Sequence, residues 1–174
     1  MRLAAAILFF SGVVACSSVA CSSAPPKASS VGAERSESID FAFGVLDGTV
    51  LTDEATRGRV TALLFVTSFD LPSQATARRI AEIQRTHQPR FNAAAIALES
   101  AENATLVAVF RDTLALPYPV AIADRVELQS APAFADIDRV PTLVLLDRYG
   151  RVVLRHSGGF DGRTFEAWLR EAER

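Results

Sequence analysis

Between Val60 and Val66 the chain reads VTALLFV, with Thr61 its only polar member and no alternation of apolar and polar positions. A strand of that kind has to be covered on both faces, so the chain needs helices on either side of a sheet. The neighbouring sequence supplies them. Ser73 to His87 reads as a helix, with Ala77, Ile80, Ala81 and Gln84 at helical spacing and Arg78, Arg79, Glu82 and Arg85 on the wet side, ended by Pro89. Ala93 to Leu98 is a second buried strand. Asn103 to Thr113 is a second helix, with Asn103 as N-cap and Leu106, Val109, Phe110 and Thr113 on one face. Strand, helix, strand in this order predicts a parallel pair with a right-handed crossover.

Elements of antiparallel type flank this unit. Phe41 to Leu46 and Thr49 to Leu51 surround Asp47-Gly48, a turn dipeptide, and predict a hairpin. Later come a strand at Val120 to Ala123, a polar connector, a strand at Thr142 to Leu146, the turn Asp147-Arg148-Tyr149-Gly150 and a strand at Arg151 to His156. Two strands joined by four residues must be antiparallel. A closing helix starts near Asp161 or Gly162 and carries Phe165, Trp168 and Leu169 at i, i+3 and i+4. The expected fold class is α/β, with a mixed central sheet flanked by helices in one domain, 39–174.

The residues before that domain have a different character. Residues 1–15 place Arg2 ahead of an apolar run from Leu3 to Val14, broken by Ser11 and Gly12, with Ala15 at its end. This ordering is that of a secretory signal peptide, and the run falls short of the about 20 residues needed to span a bilayer. Val13-Val14-Ala15-Cys16 resembles the lipobox of bacterial lipoproteins, which implies acylation of Cys16 and a membrane anchor. Ser18-Val19-Ala20-Cys21 is a second candidate, and an ordinary cleaved signal with two spare cysteines is the alternative. Ser17 or Ser22 would follow the lipidated cysteine, which resembles sorting to the outer rather than the inner membrane. Residues 16–38 are rich in Ser, Ala, Pro and charge and read as a disordered tether, holding the domain roughly 25 Å from its anchor. The expected place is the bacterial cell envelope, with the domain in the periplasm.

Composition excludes some partners. The formal net charge is -2, and although 17 of the 18 basic residues are arginine, acidic residues are interspersed among them, so no nucleic acid is expected as partner. The two cysteines, Cys16 and Cys21, both precede the domain. The folded part therefore carries no thiol of its own.

The junction Phe65-Val66-Thr67-Ser68-Phe69-Asp70-Leu71-Pro72-Ser73-Gln74, taken with Val140-Pro141-Thr142 and Asp147-Arg148-Tyr149-Gly150-Arg151, resembles the thioredoxin-like proteins of the TlpA and redoxin type over most of Phe41 to Ala172. The resemblance implies a thioredoxin-like fold and, after the central strand, an aromatic residue followed by Cys-x-x-Cys. Here Phe69 stands at the aromatic position, Asp70 at the first cysteine, Leu71-Pro72 between, and Ser73 at the second. The family's first cysteine sits at a helix N-terminus that stabilises its thiolate; a carboxylate keeps the charge and loses the sulfur.

Asp70 reads as an N-cap and Ser73 as a capping or first-turn residue, so no catalytic residue is assigned. The two histidines, His87 and His156, fall at the ends of a helix and a strand, where neither is an obvious base, and no metal or cofactor is expected. Thr67 precedes Asp70 by three, as a threonine precedes the peroxidatic cysteine of peroxiredoxins, but Leu63 stands where their proline would be. The resemblance further implies a cis bond before Pro141 and a groove at Phe69, Val140 and Pro141 that pairs with an extended peptide. Three readings follow: a non-catalytic binding or scaffold module for an envelope protein or extended peptide; a thiol–disulfide oxidoreductase borrowing a thiol from Cys21 or another protein; and non-redox catalysis by Asp70 and Ser73.

Overall fold

The computed structural model describes residues 37–87 and 91–174. The expected signal peptide, Cys16, Cys21, all but the last two residues of the expected tether, and Pro89 lie outside the described residues. In chain order the elements are β1 (Ala42–Val45), β2 (Val50–Thr52), α1 (Asp53–Thr56), β3 (Thr61–Val66), α2 (Leu71–His87), β4 (Asn92–Ala97), a short 3-10 turn (Ala101–Asn103), α3 (Ala104–Thr113), β5 (Val120–Ile122), α4 (Arg125–Gln129), β6 (Thr142–Leu146), β7 (Val152–Ser157) and α5 (Gly162–Ala172). The strands form one sheet in the order β2-β1-β5-β4-β3-β6-β7. β3, β4 and β5 run parallel, as the strand–helix–strand order predicts, and β6, β7 and the β1–β2 hairpin are antiparallel to their neighbours.

Every side chain from Ala62 to Val66 is fully buried. Successive strand residues point to opposite faces, so this one run feeds two cores. Ala62, Leu64 and Val66 meet Ala77, Ile80 and Ala81 of α2, together with residues of α3 and α5. Leu63 and Phe65 meet Phe41, Phe43, Leu128, Phe134 and Ile137.

Three expectations are corrected. The connector between β5 and β6 is not simply polar: it folds α4, capped by Asp124 in a capping box with Glu127, and delivers Phe134 and Ile137 to the second core. The Phe134 ring centroid lies 5.0 Å from that of Phe65. Removing such a ring would cost about 3–5 kcal/mol, so this segment is a structural layer. On α3 the buried face is Val107, Phe110 and Leu114, whereas Leu106 and Val109 are exposed, with Thr113. The helix is turned about one residue from the expected face, because Val107, Phe110 and Leu114 also share a stripe, at i, i+3 and i+7. Asn103 precedes α3 but its side chain makes no capping bond, while Ser100 caps the 3-10 turn before it.

Candidate functional site

Phe65 pairs with Thr142 across β3 and β6, and Val66 with Ala97 across β3 and β4. The residues that follow β3, follow β4 and precede β6 therefore emerge at one end of the sheet. They are Thr67 to Asp70, Leu98-Glu99 and Val140-Pro141.

Four residues turn the chain from β3 into α2, which begins at Leu71, two residues earlier than the expected Ser73. The first turn of a helix has N–H groups without intrahelical partners. Pro72 has no N–H to satisfy, so it is tolerated in that turn. Asp70 serves the next: its Oδ2 accepts from the Ser73 N–H at 2.8 Å, and its carbonyl accepts from the Gln74 N–H at 3.0 Å. The expected N-cap is thus observed in full. Its anionic charge sits where the helix dipole favours one.

Ser73 is completely buried, and its Oγ accepts from the Thr67 N–H at 3.3 Å. The Ser68 carbonyl accepts from Gln74 Nε2 at 2.8 Å, and the Ser68 N–H donates to Glu99 Oε1 at 2.6 Å. Glu99 is a site residue that sequence reasoning missed. It is 6% exposed, and its Oε2 and the hydroxyl of Thr67 are buried without a hydrogen-bond partner among the described residues. The signal was present: Glu99 follows an apolar strand, and the parallel β3–β4 register carries it level with Ser68, two residues past the Val66–Ala97 pair.

The other half of the site is open. The Val140–Pro141 bond is cis. The Pro141 carbonyl accepts from the Gly158 N–H at 2.7 Å, which fixes the entry to β6. The N–H and C=O of Val140 make no hydrogen bond among the described residues. At the same end, Phe69 is 77% and Leu71 75% exposed.

The histidines stay apart from this constellation. α2 has 17 residues, so His87, its last, stands about 24 Å along the axis from Leu71. The His156 ring packs 4.8 Å from that of Trp168, and its Nε2 is 3.3 Å from the Gly159 carbonyl. No hydrogen bond or ion pair joins it to Asp70 among the described residues. Nor does any group of three or more His, Cys, Asp or Glu side chains among them have the placement to hold a metal ion. Tyr118 helps to hold α2 in place: its hydroxyl donates to the Ala77 carbonyl at 2.7 Å, and burial pushes its phenol well above the ordinary tyrosine value.

A chain with this architecture is thioredoxin-like in fold, and solved structures bear that out. A thiol:disulfide interchange protein of the thioredoxin family from Chlorobium tepidum superposes with a TM-score of 0.70 at 20% identity, covering 80% of this chain and 97% of its own. A putative thiol:disulfide interchange protein DsbE from the same organism gives 0.65 at 23% identity, covering 79% and 95%. StoA from Bacillus subtilis gives 0.60 at 20% identity, covering 74% and 95%. At these identities the likeness establishes the fold alone. No family model matches the chain, and no curated protein matches it.

Proposed function

We propose that this protein is a thioredoxin-fold binding module of the bacterial cell envelope that holds an extended segment of a partner protein and performs no thiol–disulfide exchange of its own. The observation that carries this reading is the unbonded backbone of Val140 beside cis-Pro141, flanked by exposed Phe69 and Leu71. An unpaired N–H and C=O at the start of a strand can accept an extended peptide by strand addition, and exposed apolar side chains nearby supply contact area. Asp70 and Ser73 are taken to stand where redoxins carry their two cysteines. Both are already occupied in structural bonds. The fully buried Ser73 hydroxyl also counts against the non-redox catalysis considered from sequence.

The same reading places the domain on a flexible leader, 16–38, anchored through acylated Cys16, in the periplasm and at the outer rather than the inner membrane. Among the described residues no helix is long and apolar enough to cross a membrane. Incorporation of labelled fatty acid in vivo, lost in Cys16→Ser and kept in Cys21→Ser, would support the anchor; the reverse pattern would move it to Cys21.

A second reading, a thiol–disulfide oxidoreductase working with a borrowed thiol, is favoured by the structural neighbours, two of which are a thiol:disulfide interchange protein and a putative one. Insulin reduction separates the two. The binding reading expects no turnover by the purified protein, with or without Cys21→Ser. Turnover that disappears in Cys21→Ser would establish the enzyme instead.

A further inference from the structure

At the opposite end of β3 from Asp70 lies a cleft of about 610 Å3 where the residues before β3, the β6–β7 turn and the end of α5 converge. Four arginines line it: Arg59, Arg148, Arg151 and Arg174. Asp147, Glu171 and Glu173 stand against them. The partners of two of these acids are as follows. Glu171 pairs with Arg174 at 2.8 Å, and Asp147 Oδ1 accepts from the backbone N–H groups of Tyr149 and Arg151 at 2.8 and 3.0 Å. Arg59, Arg148 and Arg151 form no ion pair among the described residues.

Arg148 and Arg151 are also held together. Their guanidinium carbons lie 4.8 and 5.1 Å from the centre of the one Tyr149 ring, so the two like charges are at most about 10 Å apart. The turn beneath them is rigid. Asp147 N–H donates to the Arg151 carbonyl at 2.9 Å, Gly150 N–H to the Asp147 carbonyl at 3.0 Å, and Gly58 N–H to the Arg148 carbonyl at 2.9 Å. Gly150 takes φ +79, a left-handed conformation that favours glycine. Two cations held on one ring, neither of them in an ion pair among the described residues, offer hydrogen-bond donors to an anion, and a phosphate group has the charge and the acceptor oxygens to engage them.

The chain enters the domain at this same turn, where the Ile39 N–H donates to the Gly150 carbonyl at 3.0 Å. Residue 37 is the first described one, and in the reading above the tether that precedes it starts at a lipid anchor on Cys16. We propose that this arginine cleft binds the phosphate groups of anionic lipids in the membrane to which the domain is tethered, turning the Val140–Pro141 end of the sheet away from that membrane. Tyr149, 51% exposed, is a residue type suited to the headgroup layer. This inference rests on the membrane-tethered reading, but its chemistry can be tested without the anchor.

The test is sedimentation of the full chain with vesicles of phosphatidylcholine alone and of equal parts phosphatidylcholine and phosphatidylglycerol, at low and physiological salt. Cys16→Ser/Cys21→Ser is the background, so that no acyl chain contributes. Residues 1–15, with Arg2, are the same in wild type and variants, so the readout is the difference between them in the increment caused by phosphatidylglycerol. That increment should fall about fivefold for each arginine neutralised in Arg148→Gln, Arg151→Gln and their pair, and weaken with salt. Arg59→Gln, on a different segment, should behave likewise and guards against local damage to the turn. An increment equal in wild type and variants would overturn the proposal. So would saturable binding of inorganic phosphate with no preference for the anionic vesicles, which would make the cleft a receptor for a free anion. Fatty-acid labelling of Cys16 reports separately on the anchor, so failure of that reading and failure of this one are told apart.

Discussion

The two halves of the candidate site lie at the same end of the sheet and are built on opposite principles. At the start of α2, Asp70 caps the helix, Ser73 is sealed beneath the Thr67 amide, and Ser68 is held from both sides by Gln74 and Glu99. At the entry to β6, Val140 keeps its backbone groups unbonded next to cis-Pro141. One half has been closed on itself while the other has stayed open. The side chains of Asp70 and Ser73 are engaged within the fold, and in the proposed reading this end of the molecule offers a partner backbone pairing and the apolar surface of Phe69 and Leu71.

The sharpest way to break that contrast is to restore the sulfurs. Under the binding reading, Asp70→Cys/Ser73→Cys should give readily measured insulin reduction where the wild type is expected to give none, because the helix end that stabilises a thiolate is in place. A folded double variant with no turnover would mean that the closed half differs from a redox site in more than its sulfurs. Glu99→Ala should be next in effect. It strips the Ser68 amide of its acceptor in a buried place, which costs about 1–3 kcal/mol, read in a denaturant titration. Asp70→Ala should cost about 1 kcal/mol as a lost N-cap, with Asp70→Asn close to wild type. A larger loss of partner binding than of stability in Asp70→Ala would show that the carboxylate meets the partner directly.

The smallest effect is on the helix that carries the closed half. Tyr118→Phe removes one hydrogen bond to α2 and should cost about 1 kcal/mol at neutral pH. The Tyr118 phenol holds its proton more tightly when folded, so its contribution is complete below the ordinary tyrosine value of about 10. It is lost as pH rises from there toward the raised folded value. The alkaline decline in stability should therefore be shallower in Tyr118→Phe, with binding at Val140 unchanged.

Much of this frame was legible in the sequence because it rests on uninterrupted or periodic apolar runs. β3, α2, β4 and the β6–β7 pair could be read from Val60–Val66, from Ala77, Ile80 and Ala81, and from the four-residue turn at Asp147–Gly150. Phe134 and Ile137 escaped because they lie outside any regular element, so no period marks them, although they complete the second core. The buried face of α3 was misread because seven apolar or neutral positions in Leu106–Leu114 admit two overlapping stripes, and only packing on β4 and β5 chooses between them. Asp70 as a cap could be read from its position before a helix. Glu99 could not be assigned a partner until the β3–β4 register placed it beside Ser68.

The central claim, that the open half is where a partner binds, is tested most directly by hydrogen exchange at the Val140 amide. The isotope-labelled protein would be titrated with a cysteine-free extended peptide library and with carboxymethylated insulin B chain as a defined probe. The account predicts saturable shifts at Phe69, Leu71 and Val140, with slowed exchange of the Val140 N–H and none of the change abolished by Cys21→Ser. Binding that leaves the Val140 amide exchanging as before, or that centres on another face of the domain, would contradict it.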